Sequence, residues 1–271
     1  MRLLLIRHGE SVDNVAGLYA GSRDSSLTNH GVLQAQRLGA HIALAASCSL
    51  IGPVRHIFAS NLQRAYQTAD AVAEACQLEN DVTLGVIRVE ELREKDFGSS
   101  EGKKFGTKDK DDGSESPVSM QVRIHRFLDR YLGPIVEQLV TENVTVVIVA
   151  HGIILNVLLK ALLSRYPPLS LGALPIAARP GSEWLAPWSN TGVLEAPLQL
   201  SESSASFQMQ SAKKVRLTIA CTNNLDHLHG LKKTRGGIGS AKFDSQQRTM
   251  DSFFTSSSKK RKFDGDHAQD R

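Results

Sequence analysis

Two arginines, two histidines and a glutamate stand where they can act on a phosphate group. Arg7-His8-Gly9-Glu10 ends the apolar run Leu3-Leu4-Leu5-Ile6, and His151-Gly152 ends another, Val144 to Ala150. Arg64 and Glu94 follow two further strand-like segments. Guanidinium forks match the charged oxygens of a phosphate bidentately, which lysine does not do. An imidazole titrating near neutral pH attacks phosphorus when its other ring nitrogen is held by a carbonyl. A carboxylic acid then protonates the departing alkoxide, a contribution of about 10²–10⁴-fold. If arginines and a second imidazole neutralise the equatorial oxygens, no metal is required. Taken singly, Arg-His-Gly after a strand reads as a turn, Arg64 as a solvated helix residue and His151 as a strand-end histidine. Their convergence carries the chemistry.

That convergence needs a particular scaffold. The first apolar run suits a strand covered on both faces, as in parallel sheets. Thr28 caps a predicted helix over 31–46, with Ala35, Leu38, Ile42 and Ala45 at helical spacing. Val54–Ala59 reads as a second strand and 61–76 as its helix, with Arg64 in the first turn. Val82–Val89 is a third strand. A glycine-rich charged loop runs from Gly98 to Pro117, then a helix over Val118–Leu139 interrupted at Gly133-Pro134. Val144–Ala150 is the most apolar strand, with 153–163 as its helix. This alternation predicts an α/β fold, a three-layer αβα sandwich with a mostly parallel central sheet. Ligand sites in such sheets gather beyond the carboxyl ends of strands, where all five residues fall. Asn14 reads equally as a ligand contact or a helix cap.

The same residues resemble the signature of the histidine phosphatase superfamily, the phosphoglycerate mutase-like branch. Leu-Ile-Arg7-His8-Gly9-Glu10-Ser11-x-x-Asn14 is similar to its first block, and Gly21-x-x-Asp24-x-x-Leu27-Thr28-x-x-Gly31-x-x-Gln34-Ala35 to its second. Ser60-x-x-x-Arg64-Ala65-x-Gln67-Thr68, Leu92-x-Glu94-x-x-x-Gly98-x-x-Glu101-Gly102 and Ala150-His151-Gly152 follow in the family's order. Asn190-Thr191-Gly192 is a further similarity. The resemblance implies that His8 forms a phosphohistidine and that Arg7, Arg64 and His151 cradle the phosphate. It also implies that Asn14 and Gly152 line the substrate site, that Glu94 rather than Glu90 or Glu91 donates the proton, and that Glu101 orders the loop. No cofactor or metal is implied.

Mutases of this family retain an intermediate under a sizeable lid, whereas the segment from Gly98 to Val118 is short, which favours hydrolysis. A phosphomonoesterase acting on a phosphorylated small molecule or phosphoprotein is the expectation. A phosphoglycerate mutase and a catalytically silent phospholigand-binding module are the rivals. Lys103, Lys104, Lys108 and Lys110 of the lid read as a solvated mixed-charge loop or as a greeting for a second phosphate.

Charge divides the chain. Residues 1–222 hold 22 basic and 22 acidic side chains, and 223–271 hold 10 and 6. The pI near 9.0 therefore describes a basic tail on a neutral body, which argues against direct nucleic-acid binding by the core. Three scattered cysteines without a CxxC pair fit a reducing compartment. No secretory signal is visible. Val144–Leu163 has the length of a membrane span but contains His151, Asn156 and Lys160, so it reads as strand and helix, with no membrane partner.

Six of the nine prolines lie between Pro167 and Pro197, which predicts irregular chain there. Thr191–Glu195, Ser206–Gln210 and Val215–Cys221 read as short strands. The expected division is a catalytic domain over 1–225 and a disordered tail over 226–271, poor in aliphatics from Lys232. In that tail Met250, Phe253 and Phe254 share one face of a single helical turn, with Gln247 upstream. The segment 247–254 resembles the PIP box that inserts into the DNA sliding clamp, PCNA. The other reading is that the phenylalanines pack on the protein's own body. Lys259-Lys260-Arg261-Lys262 reads as a nuclear localisation patch, which places the chain in the nucleus with a cytoplasmic pool also allowed.

Overall fold

The computed structural model describes residues 1–80, 83–107, 112–168, 185–201, 214–233 and 238–244. The expected strand at Ser206–Gln210, most of the proline-rich stretch, lid residues Lys108 and Lys110, and both tail motifs lie outside the described residues.

Strands β1 (Arg2–Arg7), β2 (Val54–Ser60), β3 (Val86–Val89) and β4 (Thr145–Ala150) form a parallel unit in the order β3-β2-β4-β1. β5 (Val193–Ser201) pairs antiparallel with β1, and β6 (Lys214–Leu217) and β7 (Cys221–Asn224) pair antiparallel with β5. The sheet is thus mixed, and its parallel strands lead into the segments that hold Arg7, His8, Arg64, Glu94 and His151.

Helices α2 (Asn29–Ser47) and α3 (Gln63–Asn80) cover one face; α4 (Pro117–Phe127), α5 (Gly133–Leu139) and α6 (Gly152–Arg165) cover the other. The continuous apolar run of β1 follows from this. Leu4 and Ile6 pack with Leu38, Ile42 and Val72, while Leu3 and Leu5 pack with Ile124, Phe127 and Leu155. The segment Val144–Leu163 is β4 and most of α6, and no helix among the described residues is long and apolar enough to cross a membrane.

Several boundaries differ from expectation. Thr28 does cap α2, accepting from Gly31 N at 3.0 Å, but the helix begins at Asn29. β3 is only Val86–Val89, because β2 offers partners only from Ile57 to Ser60. Gly133-Pro134 does not stop the helix after Pro117. Leu128–Leu132 widens into a π turn instead, which accommodates the missing proline N–H. The expected strand Thr191–Glu195 starts later and runs longer, as β5, because Thr191 takes φ 55° and Gly192 N closes a turn onto Ser189 O. Val215–Cys221 is two strands. Thr218 N and Ala220 N still reach β5 at Pro197 O and Glu195 O, so the residues between β6 and β7 bulge without leaving it.

Contacts with the body continue past residue 225. Asp226–Leu228 forms a 3₁₀ turn with His227 buried against Thr191, and Lys233 pairs with Glu10. Asn29 N bonds to Ala241 O and Phe243 N to Leu27 O. Backbone pairing secures this strap, in which Leu228 and Leu231 are only half-buried.

Candidate active site

The parallel register explains why two histidines meet. Arg7 pairs with Ala150 across β1 and β4, so the next residue on each strand is a histidine at the same level. Adjacent strands lie ~4.8 Å apart, and the His8 and His151 ring centroids are 4.9 Å apart. His8 N donates to Ala150 O at 3.0 Å, locking the two strand ends together. The chain then turns tightly. A Cβ on Gly9 would stand 2.6 Å from Gly31 O, so only glycine lets this loop reach α2. Thr68 on α3 accepts from Gly9 N at 3.0 Å and donates to Arg64 O, tying that loop to the arginine's helix.

His8 Nδ1 lies 2.6 Å from Gly9 O. A carbonyl only accepts, so Nδ1 carries the proton of the neutral ring and Nε2 keeps the lone pair. Burial, then the charges of Arg64 and Arg7, hold His8 well below the ordinary histidine value, against a smaller opposing effect of the Gly9 bond. Burial and the same arginines, with His8, do the same to His151. Both rings are therefore neutral at pH 7.

The two arginines come from different strand ends. Arg7 Nη1 donates to Trp188 O at 2.8 Å. Arg64, 1% exposed, spends Nη1 on Arg23 O and Nη2 on Gly21 O. Burial pushes its pKa down to about 10, so it stays protonated at neutral pH, and burial also lowers that of Arg7. Of the buried side-chain nitrogens and oxygens without hydrogen-bond partners among the described residues, Arg7 Nε, Arg64 Nε, both ring nitrogens of His151 and Trp188 Nε1 belong to residues that line one cavity. Leaving such groups unsatisfied is costly, and an oxyanion among them removes the cost.

Asn14 is both cap and cavity wall. It is the third residue of the short helix α1 (Val12–Ala16), where it closes a capping box with Ser11, and it lines the cavity beside His8. Its Oδ1 accepts from Asn190 Nδ2, which also reaches His8 O. Thr191 N donates to Arg7 O and His8 O. Asn190-Thr191 therefore splints the histidine loop from the far end of the sequence.

Glu94 lies beyond β3 and reaches the first turn of α6. Its Oε2 accepts from Ile153 N and its Oε1 from Ile154 N, both at 3.1 Å, and Oε1 also accepts from Lys95 N. These are the unpaired donors of a helix N-terminus, where negative charge is favoured. Arg123 on α4 fixes the loop, donating to the carbonyls of Glu91, Arg93 and Glu94 while paired with Glu115. Glu90 and Glu91 face a neighbouring depression, and Glu94 is the carboxylate that lines the cavity among the described residues. Glu101 accepts from Ser22 N and Phe97 N, cross-linking the lid to the loop after α1.

These groups share a cavity of about 310 Å³ lined by Arg7, His8, Asn14, Arg64, Glu94, His151 and Gly152. Every core residue that the sequence singled out is there. Trp188, Phe97, Phe105 and Leu18 line it as well and were not anticipated. The proline-rich setting of Trp188 offered no periodicity to place it. On the lid side, Lys104 Nζ donates to Ala16 O, and neither Lys103 nor Lys104 lines the cavity.

The chain is similar to known proteins over much of its length. The sequence model of the histidine phosphatase superfamily (branch 1) matches residues 3–182. A probable phosphatase of Schizosaccharomyces pombe is 30% identical over 261 residues, covering 92% of this chain and 78% of its own. A probable phosphoglycerate mutase of Proteus mirabilis is 32% identical over 180 residues, covering 60% of this chain and 75% of its own. A solved mycobacterial glucosyl-3-phosphoglycerate phosphatase, complexed with VO3, shares the fold with a TM-score of 0.58 at 23% identity, over 82% of this chain and 98% of that one. The family match begins on β1 and extends beyond α6, so it spans every strand end that contributes to the cavity, and the chain belongs to the histidine phosphatase superfamily, branch 1.

Proposed function

We propose that this protein is a phosphomonoesterase that works through a phosphohistidine at His8. One observation carries the reading: partnerless buried nitrogens of Arg7, Arg64 and His151 surround a histidine whose Nδ1 is already committed to a carbonyl. In the first step His8 Nε2 bonds to phosphorus and the ester P–O bond breaks. Glu94 takes the acidic proton that the bound phosphate monoanion carries and passes it to the leaving oxygen, which departs as an alcohol. In the second step water attacks the phosphohistidine, the P–N bond breaks, and the water proton returns to Glu94. Arg7, Arg64 and neutral His151 stabilise charge on the equatorial oxygens throughout.

Hydrolysis is favoured over mutase chemistry by the short lid and by the extent of the probable phosphatase alignment, which reaches beyond the catalytic fold. The test supplies the full chain with p-nitrophenyl phosphate, and separately with 3-phosphoglycerate and a bisphosphate primer, each with and without a chelator. Chelator-insensitive phosphate release is the expected result. Isomerisation outpacing phosphate release would make the protein a mutase, and tight phosphate binding without turnover would make it a silent module.

We also propose that the tail docks on the sliding clamp, with Gln247, Met250, Phe253 and Phe254 as the inserted residues. The spacing of Gln247, Met250, Phe253 and Phe254 supports this. Nuclear residence, through residues 259–262, belongs to the same reading. Calorimetry of a 240–265 peptide against the clamp tests it, with binding expected and lost in the Phe253→Ala, Phe254→Ala peptide. Equal binding by both peptides removes the pocket model.

A further inference from the structure

We infer that the substrate is an arylalkyl or aromatic ester bearing a single phosphate, an inference that rests on the phosphatase reading above. The cavity wall divides by chemistry. Arg7, His8, Asn14, Arg64, Glu94 and His151 supply its phosphate-directed groups. Asn156 is committed elsewhere, donating to Gly152 O and accepting from Ala186 N. The remaining side chains are Leu18, Ala20, Phe97, Phe105, Ile153 and Trp188. A leaving group must lie along these, and they reward burial of apolar surface.

The aromatic part is pre-assembled. Tyr19 lies 4.8 Å from Phe97 and 4.9 Å edge-on from Phe105, between centroids. Phe105 N is held by Gly17 O, and Gly102 N and Lys103 O bond to Tyr19. This pairing fixes Phe105 on the rim while leaving the residue 58% exposed. An aromatic ring held open to solvent at a cavity mouth gains most when a flat apolar group covers it.

The wall offers little to a second anion. Beyond Arg7 and Arg64, no cationic side chain among the described residues lines the cavity. Lys104 is turned to Ala16 O, and Lys95 sits over Phe97, 5.5 Å from its centroid, without lining the cavity. In the adjoining depression, Arg93, Arg123 and Arg126 stand among Glu90, Glu91, Glu94, Asp96 and Glu115. Carboxylates outnumber arginines there, so a carboxylate or second phosphate is repelled rather than recognised.

The test compares esters whose leaving alcohols are similarly basic, so that pocket contacts and not leaving-group chemistry set the order. Benzyl phosphate should show kcat/KM at least ~10-fold above glycerol 3-phosphate, 3-phosphoglycerate and fructose 1,6-bisphosphate. In Phe105→Ala, an exposed position, that preference should narrow several-fold. A phosphoglycerate or bisphosphate preferred over benzyl phosphate, or a preference unchanged in Phe105→Ala, overturns the inference. Calorimetry with unreactive phosphonates separates this from the phosphatase reading. Benzylphosphonate should bind the full chain ~10-fold tighter than methylphosphonate, whether or not any ester is turned over. Absent hydrolysis with that preference intact defeats only the phosphatase reading, and equal or undetectable binding of both phosphonates defeats the substrate class.

Discussion

Replacing His8 with alanine should lower kcat on any phosphomonoester by on the order of 10³–10⁶-fold, as removal of an attacking nucleophile does elsewhere. His151 stands beside His8, with ring centroids 4.9 Å apart and planes tilted by 59°, and in this mechanism it holds the phosphate oxygens and does not attack phosphorus. The methyl group still leaves Arg7, Arg64 and His151 around the anion, so inorganic phosphate should bind with affinity within about tenfold of wild type, since the guanidinium contacts remain. Trapping with ³²P-labelled ester should give acid-labile, alkali-stable label on the wild-type chain alone. Label persisting in His8→Ala would place the covalent step elsewhere.

The same substitution has a signature in stability against pH. Both active-site histidines have folded pKa values below their unfolded ones, for burial and neighbouring arginine charge disfavour their protonation. The unfolded chain therefore binds more protons once pH falls below about 6.5. The stability contribution is complete above that pH and is lost as pH drops toward the folded values. Each histidine contributes a slope of up to about 1.4 kcal/mol per pH unit in that window. Denaturant melts at pH 7 and 5 should show a smaller acid loss for His8→Ala than for wild type.

The sequence showed the site more clearly than the scaffold around it. Arg7, His8, Arg64, Glu94 and His151 each sit within a few residues of a strand end, and a parallel sheet collects strand ends on one rim. Apolar runs sufficed to place β1, β2 and β4. Helix α1 escaped notice because five residues show no period, although Ser11-x-x-Asn14 is itself a capping-box spacing. The cavity's aromatic wall was equally hidden. Phe97 and Phe105 lie in a charged loop where the structure follows from backbone pairing with residues 17–19, and composition does not report such pairing. The strap beyond residue 225 has the same cause. Lys233 and Ala241 look solvated in sequence, yet one pairs with Glu10 and the other accepts from Asn29 N. Long-range hydrogen bonds with no apolar signature are what local reading lacks.

Glu94→Gln should separate positioning from proton donation. Glutamine keeps the length of the side chain, and its carbonyl oxygen replaces Oε1 as acceptor for Ile154 N and Lys95 N. Its NH2 then meets Ile153 N–H, donor against donor, where Oε2 had accepted. That loss is local, since Arg123 still holds the carbonyls of Glu91 and Arg93. With benzyl or glycerol phosphate the departing alkoxide is strongly basic, and without a proton the P–O bond breaks slowly. The expected fall in kcat is about 10²–10⁴-fold. With p-nitrophenyl phosphate the leaving anion is stable without a proton, and the fall in the first step should be smaller than about tenfold. Single-turnover kinetics with the two ester classes, on wild type and variant, read this difference directly. A loss of the same size for both classes would assign Glu94 to holding the start of α6, and the proton would then have to come from another group. The contrast between ester classes is insensitive to a general loosening of the site, which slows both alike, so it isolates the one thing a carboxylic acid does here and its amide does not.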